Sequence, residues 1–180
     1  LAHIFVASKA AWHEILDALP RFDGFPPGFD APEMPARSLS SPPTEGPRGS
    51  CLCGGMTWVV PGTPLWARHC HCARCRKQRG AAHASNVVVA ADGVRFTGGE
   101  GLLSTYKVPE AQFFAHAFCR VCGSSVPRVD PARQIGIVPM GSYDDDPGVR
   151  PREHIFVGSK APWHEILDGL PQHEQQAPPT

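Results

Sequence analysis

Seven cysteines lie between Cys51 and Cys122, and their spacing is that of metal ligands. They occur as Cys51-x-Cys53-Gly54, Cys70-His71-Cys72-x-x-Cys75 and Cys119-x-x-Cys122-Gly123. Two thiols two or three residues apart can hold one zinc ion from a tight turn, with sulfurs about 4 Å apart at Zn–S of roughly 2.3 Å. A glycine after the second cysteine frees the backbone to turn and lets amide N–H groups approach the thiolates. Cys51/Cys53 and Cys119/Cys122 both have this form. Together they make a four-thiolate set, the closed kind that a structural zinc occupies. Cys70, Cys72 and Cys75 then remain as a second set, one ligand short of closure. Either His71, His69 or another histidine closes it, or the fourth position stays open to water or a substrate thiol, as in catalytic zinc sites. His71 sits between two ligating cysteines, and neighbouring residues tend to point apart, which favours the open position. Disulfides fit less well, because an odd thiol count at two- and three-residue spacing would leave one cysteine unpaired.

Charge surrounds the second set. Arg68, Arg74, Arg76, Lys77 and Arg79 fall within twelve residues that contain no acid. Arg76 and Lys77, next to Cys75, are the candidate contacts for an anionic group such as a peptide carboxylate or phosphate. The remaining cations offset thiolate charge or form a solvated face. A non-enzymatic zinc module that binds an acidic partner through residues 68–79 is the alternative reading. Over the whole chain Lys+Arg and Asp+Glu are equal at 17 each. No aromatic stacking residue interrupts the basic stretch, so a nucleic-acid partner is not expected.

The elements that must position these thiols read as short strands. The runs at 55–60, 84–90, 94–98, 104–108, 113–119, 125–129 and 134–140 are β-rich, and turn signals such as "ADG" and "GGEG" separate them. With 20 prolines and 18 glycines, the pattern predicts a mainly β domain. One short helix is predicted after Cys75, through "RKQRGA". No apolar run approaches the roughly 18 residues of a transmembrane helix, and the N-terminus lacks the basic and apolar regions of a signal peptide. A cytoplasmic protein is therefore expected, with no membrane partner.

Residues 3–20, "HIFVASKAAWHEILDALP", recur almost verbatim at 154–171 as "HIFVGSKAPWHEILDGLP". Such identity is duplicated sequence rather than shared periodicity. In each copy "HIFV" reads as a strand and "PWHEILDGL" (or its counterpart) as a short amphipathic helix packed on a sheet. The expected organisation is a duplicated tail segment at 1–22, the end of a preceding tandem copy. A Pro-rich flexible linker follows at 23–47, then a zinc-binding domain at 48–173 and a disordered tail at 174–180.

The segments "GSCLCGGMTW", "CHCARCRKQRGAAHA", "FCRVCGSSV" and "MGSYDDDPGVRPREHIFVGSKAPWHEI" resemble the glutathione-dependent formaldehyde-activating enzyme family, which includes centromere-protein-V-like proteins. The resemblance spans roughly Arg48 to Leu170, with every cysteine in register. It implies a β-tent of small antiparallel sheets organised around zinc. It also implies two zinc ions per chain, one structural at Cys51, Cys53, Cys119 and Cys122, and one labile at Cys70, Cys72 and Cys75. The implied activity is that of a carbon–sulfur lyase that condenses formaldehyde with glutathione to S-hydroxymethylglutathione. Glutathione or a glutathione adduct would be the partner, bound near the labile zinc.

Overall fold

The computed structural model describes residues 1–29 and 45–178. Of the expected Pro-rich linker at 23–47, residues 30–44 lie outside the described residues, as do 179–180 of the expected tail. The chain divides into two compact units, Leu1–Pro42 and Pro43–Thr180.

The second unit is mainly β. Its strands in chain order are β1 (Arg48–Ser50), β2 (Thr57–Val59), β3 (Trp66–Cys70), β4 (Ala84–Ala90), β5 (Arg95–Gly98), β6 (Leu103–Lys107), β7 (Ala115–Cys119), β8 (Arg128–Asp130), β9 (Ile135–Pro139), β10 (His154–Ile155) and β11 (Gln172–His173). They form three small sheets, ordered β1-β2-β5, β11-β10-β3-β4-β9-β8 and β6-β7. The Val87-Val88-Val89 run of β4 is buried, as expected of β-branched residues at the centre of the largest sheet. Met56, Trp58, Val87, Val89, Val138 and Met140 are almost wholly buried, and each such side chain contributes on the order of 1.5–3 kcal/mol.

The only α-helix among the described residues is α1 (Ala73–Arg79), where the sequence predicts one. Cys72 caps its start by accepting the Cys75 N–H, and Gly80, with φ of 59°, ends it. The short C-terminal helix expected around Pro162–Leu170 does not form. Strand β10 runs parallel to both β3 and β11, and parallel neighbours need a long crossover. Residues 156–171 supply it as a 3₁₀ turn (Val157–Ser159) followed by irregular chain. Side-chain bonds to the local backbone hold that path in place of helical ones: Lys160 Nζ donates to the His164 carbonyl, and the Leu170 N–H donates to Asp168. Trp163 and Leu167, whose spacing suggested a packed helical face, are exposed.

β3 was hidden in the sequence by its charged and metal-ligand residues, yet it is the organising strand. Its His69 and Cys70 face Ser85 and Ala84 of β4 on one side, and His154 and Ile155 of β10 on the other. The His69 N–H donates to the Glu153 carbonyl at 3.0 Å and the His71 N–H to that of Ile155 at 2.9 Å. The second copy of the duplicated segment is thus stitched to the strand that leads into Cys70-His71-Cys72.

Candidate metal centre

Three stretches of chain deliver the thiols. Cys51 and Cys53 lie in the turn between β1 and β2, and Cys119 ends β7. Each pair is followed by a glycine in the left-handed region: Gly54 at φ 73° and Gly123 at φ 74°. Their N–H groups close the turns onto the carbonyls of Cys51 and Cys119, both at 2.8 Å. That conformation turns each pair inward, so that the sulfurs of Cys51, Cys53, Cys119 and Cys122 all lie within 4.8 Å of one another. The Cys51–Cys53 separation is 3.4 Å. The Met56 N–H donates to Cys51 Sγ at 3.2 Å, and Ser124 lies 3.4 Å from Cys122 Sγ.

The second set is built by the end of β3 and the start of α1. Cys70, Cys72 and Cys75 also place their sulfurs within 4.8 Å of one another, and no further donor joins them among the described residues. All seven cysteines are free thiols.

Crowded thiols without a cation cannot all ionise. Hydrogen bonds from Cys70 and then Cys75 push the Cys72 thiol down to about 2. Those same contacts push Cys70 up to about 11, chiefly through Cys72, and raise Cys75 strongly, chiefly through Cys70. In the four-thiol set Ser124 pulls Cys122 down to about 5. Cys53, despite the lowering contact from the Gly55 amide, is pushed up to about 11 by Cys51, Cys122 and Cys119. This opposed pattern is what one thiolate serving several neighbours produces. A soft divalent cation removes the conflict by stabilising every sulfur as thiolate. Both sets fit a thiolate-ligated metal such as zinc.

The basic stretch disperses on folding. Arg68 pairs with Glu153 at 3.0 Å and stacks over Trp66. Arg76 spends its guanidinium on the carbonyls of His71 and Ser159, each at 3.3 Å, tying α1 to the crossover. Arg74 and Lys77 are exposed. Arg79, one helical turn beyond Cys75, donates from Nη2 to Asn86 at 2.9 Å, while its buried Nη1 has no hydrogen-bond partner. Burial lowers its pKa to about 10 and the nearby Cys75 opposes that. A cation held beside the three-thiol set with an unused donor is therefore Arg79, which spacing alone did not distinguish from its neighbours.

Sequence reasoning named His69 and His71 only as candidate fourth ligands of this set, which neither joins, and it missed their partners His154 and Asp168. His69 Nδ1 and Ser85 Oγ are 2.8 Å apart, and His69 stacks on His154 at a centroid separation of 4.9 Å. His71 Nε2 lies 2.8 Å from His154 Nδ1, and His154 Nε2 reaches both carboxylate oxygens of Asp168 at 2.9 and 3.0 Å. Burial, then the neighbouring His83 and His154, push His69 and His71 down to about 3. Asp168, although burial opposes it, is held below the usual carboxylate value by the Leu170 N–H and His154. The signal that could have found these residues is the composition of the repeat itself, "HIFV…WHEILD", which carries two histidines and an aspartate into the domain a second time.

Fold and thiols together define a small β protein built around two cysteine clusters that could hold metal. Over residues 47–159 the chain matches the family described as glutathione-dependent formaldehyde-activating enzyme, and it belongs to that family. Among solved structures it is similar to a Rhodobacter sphaeroides protein determined by the Northeast structural genomics effort, at 27% identity and a TM-score of 0.42. That match covers 58% of this chain and 92% of the other. A search of curated proteins finds no match. No helix among the described residues is long and apolar enough to cross a membrane.

Proposed function

We propose that this chain is a zinc-dependent carbon–sulfur lyase of the kind its family is named for. Its substrates would be glutathione and formaldehyde, with their adduct S-hydroxymethylglutathione as the product, or it would act on a related thiol adduct. The observation that carries the reading is the contrast between a four-thiol set and a separate three-thiol set that no fourth His, Cys, Asp or Glu joins among the described residues. Cys51, Cys53, Cys119 and Cys122 would hold a structural zinc, and Cys70, Cys72 and Cys75 a labile one. Zinc at the second set would supply a Lewis acid that lowers the pKa of an incoming thiol.

The chain's own groups would do the rest. In the reaction the glutathione sulfur attacks the formaldehyde carbon, a C–S bond forms, and the carbonyl π pair becomes an alkoxide that takes up the thiol's proton. Arg79 is placed beside Cys75 with Nη1 unpaired, and a buried donor of that kind stabilises a developing oxyanion. Arg76 fixes the crossover over the start of α1. Lys77 remains exposed on the same helix as a contact for a glutathione carboxylate.

The purified, zinc-loaded protein should accelerate loss of free formaldehyde in the presence of glutathione. Arg79→Lys should lower the enzymatic rate about 10²-fold, as removal of an oxyanion donor does. Mild chelation should remove the zinc at Cys70, Cys72 and Cys75 and leave the one at Cys51, Cys53, Cys119 and Cys122. A rate equal to the uncatalysed one at high protein concentration would sink the proposal, and a single zinc that resists chelation would sink its metal part.

A further inference from the structure

A third group of donors shares no residue with either thiol set, although His71 stands between Cys70 and Cys72 in the chain. One ring nitrogen from each of His71, His83 and His164 falls within 4.8 Å of those of the other two. The residues come from three places in the sequence: His71 just after β3, His83 just before β4, and His164 in the crossover between β10 and β11. Ring centroids are 5.1 Å apart for His71–His83, 5.5 Å for His83–His164 and 5.7 Å for His71–His164.

The hydrogen-bond chain behind His71 decides what this group presents. Asp168 as a carboxylate only accepts, so His154 Nε2 carries the proton of that bond. When both rings are neutral, His154 Nδ1 accepts and His71 Nε2 donates across their 2.8 Å contact, which leaves the lone pair on His71 Nδ1. His71 is 0% exposed, and its Nδ1 has no hydrogen-bond partner. A buried acceptor with no donor is costly, and a cation is the partner that suits it. A carboxylate acting through a ring on the far nitrogen of an imidazole is the outer-shell arrangement that fixes the tautomer and orientation of metal-bound histidines.

We infer that His71, His83 and His164 form a third metal site, taking a divalent transition ion of the kind imidazole ligates: zinc, cobalt, nickel or copper. Three imidazoles leave the fourth tetrahedral position to water or to an oxygen donor of a substrate. Ligand nitrogens in such a site sit roughly 3.3 Å apart at metal–nitrogen distances of about 2.0–2.1 Å. His83 and His164 are only half-buried, so ring rotation can close the set around the fixed His71. Asp168 sets a negative charge beside the group against the positive charge of Lys160.

Cobalt(II) separates this site from the thiol sets. In an anaerobic titration of the reduced, metal-free full chain, thiolate-to-cobalt charge transfer reports only the cysteines. Uptake should continue for one further equivalent after that band saturates, and the added equivalent should bring ligand-field absorbance alone. His83→Gln and His164→Gln should each abolish it while leaving the charge-transfer band intact. That retained band also shows that the variant folds. Asp168→Asn should weaken the added equivalent about 10–100-fold through the positioning of His71. His13→Gln, the same change in the first copy of the duplicated segment, should leave uptake unchanged. Metal uptake that ends with the charge-transfer band, or an added equivalent that survives in both His83→Gln and His164→Gln, would overturn the inference.

Discussion

Residues 3–20 and 154–171 differ at Ala7/Gly158, Ala11/Pro162 and Ala18/Gly169, and they fold alike down to single hydrogen bonds. His3 reaches Asp17 at 2.8 and 2.9 Å, as His154 reaches Asp168 at 2.9 and 3.0 Å. The Leu19 and Leu170 N–H groups each donate to that aspartate at 3.0 Å. The His3 and His154 N–H groups each donate to the proline carbonyl at the far end of the loop, at 2.8 Å. Even the left-handed phenylalanine recurs, Phe5 at φ 57° and Phe156 at φ 59°, a conformation that a bulky residue adopts only when its surroundings impose it. The burial differs. The side chain of His3 is 31% exposed and that of His154 3%. Ile4 is 47% exposed and Ile155 5%. The loop's shape is thus encoded by its own residues, while a chemical site arises only in the copy that pairs with β3 and brings its histidines beside His71 and His83.

The strongest way to break this comparison is deletion. Removing residues 154–180 strips β10 from β3 and leaves that strand with an open edge. The lost burial is expected to exceed the roughly 5–15 kcal/mol that holds a domain together. Cooperative unfolding and retained metal should both disappear. Removing residues 1–22 should leave the melting temperature within about 2 °C, since a change of 1 kcal/mol moves it by roughly 2–8 °C. Equal damage from the two deletions, read by thermal melts and metal content, would refute the asymmetry.

Single residues sharpen it. Ile155→Ala should cost about 2–4 kcal/mol in urea unfolding, as a large-to-small change in a packed core does. Ile4→Ala should stay within about 0.5 kcal/mol. His154→Gln should follow at about 1–3 kcal/mol, because it interrupts a buried chain between His71 and Asp168. His3→Gln, with a third of its side chain in water, should change the same curve far less. A larger loss for the first-copy variant in either pair would contradict the burial argument.

The sequence made the partition of the thiols legible because that information is local. Two cysteines and a following glycine specify a turn, two turns of that shared form suggest a four-thiol set, and the other three cysteines remain. The β runs were equally legible, and β4 (Ala84–Ala90) begins and ends where its alternating and β-branched residues do. β3 was not, since "WARHC" carries its pairing information in a register with two other strands rather than in its own composition. The helix expected in the crossover failed for a related reason. Its apolar spacing is helical, but Lys160 and Asp168 bond to the local backbone, and two prolines and a glycine bracket the segment. The histidine group was invisible because His71, His83 and His164 span more than ninety positions, and only the parallel pairing of β10 on β3 brings them together.

The smallest effect tests the other half of the comparison, that the loop forms by itself. Asp17 is held below the usual carboxylate value of 3.8 by the Leu19 N–H and then by His3. Asp168 is held there by the Leu170 N–H and His154 against the opposing effect of burial. A depressed folded-state pKa means that each carboxylate's stabilisation is whole above about pH 4 and is lost as the pH falls through the lower, folded value. Carboxyl-carbon titration by NMR of the full chain should therefore place both midpoints below 3.8. The Asp17 midpoint reports on bonds made entirely within the first copy. If it lies at 3.8 while that of Asp168 is depressed, the first copy does not hold its loop in solution. The shape would then come from docking on β3 rather than from the eighteen residues, and the two copies would differ in fold as well as in burial.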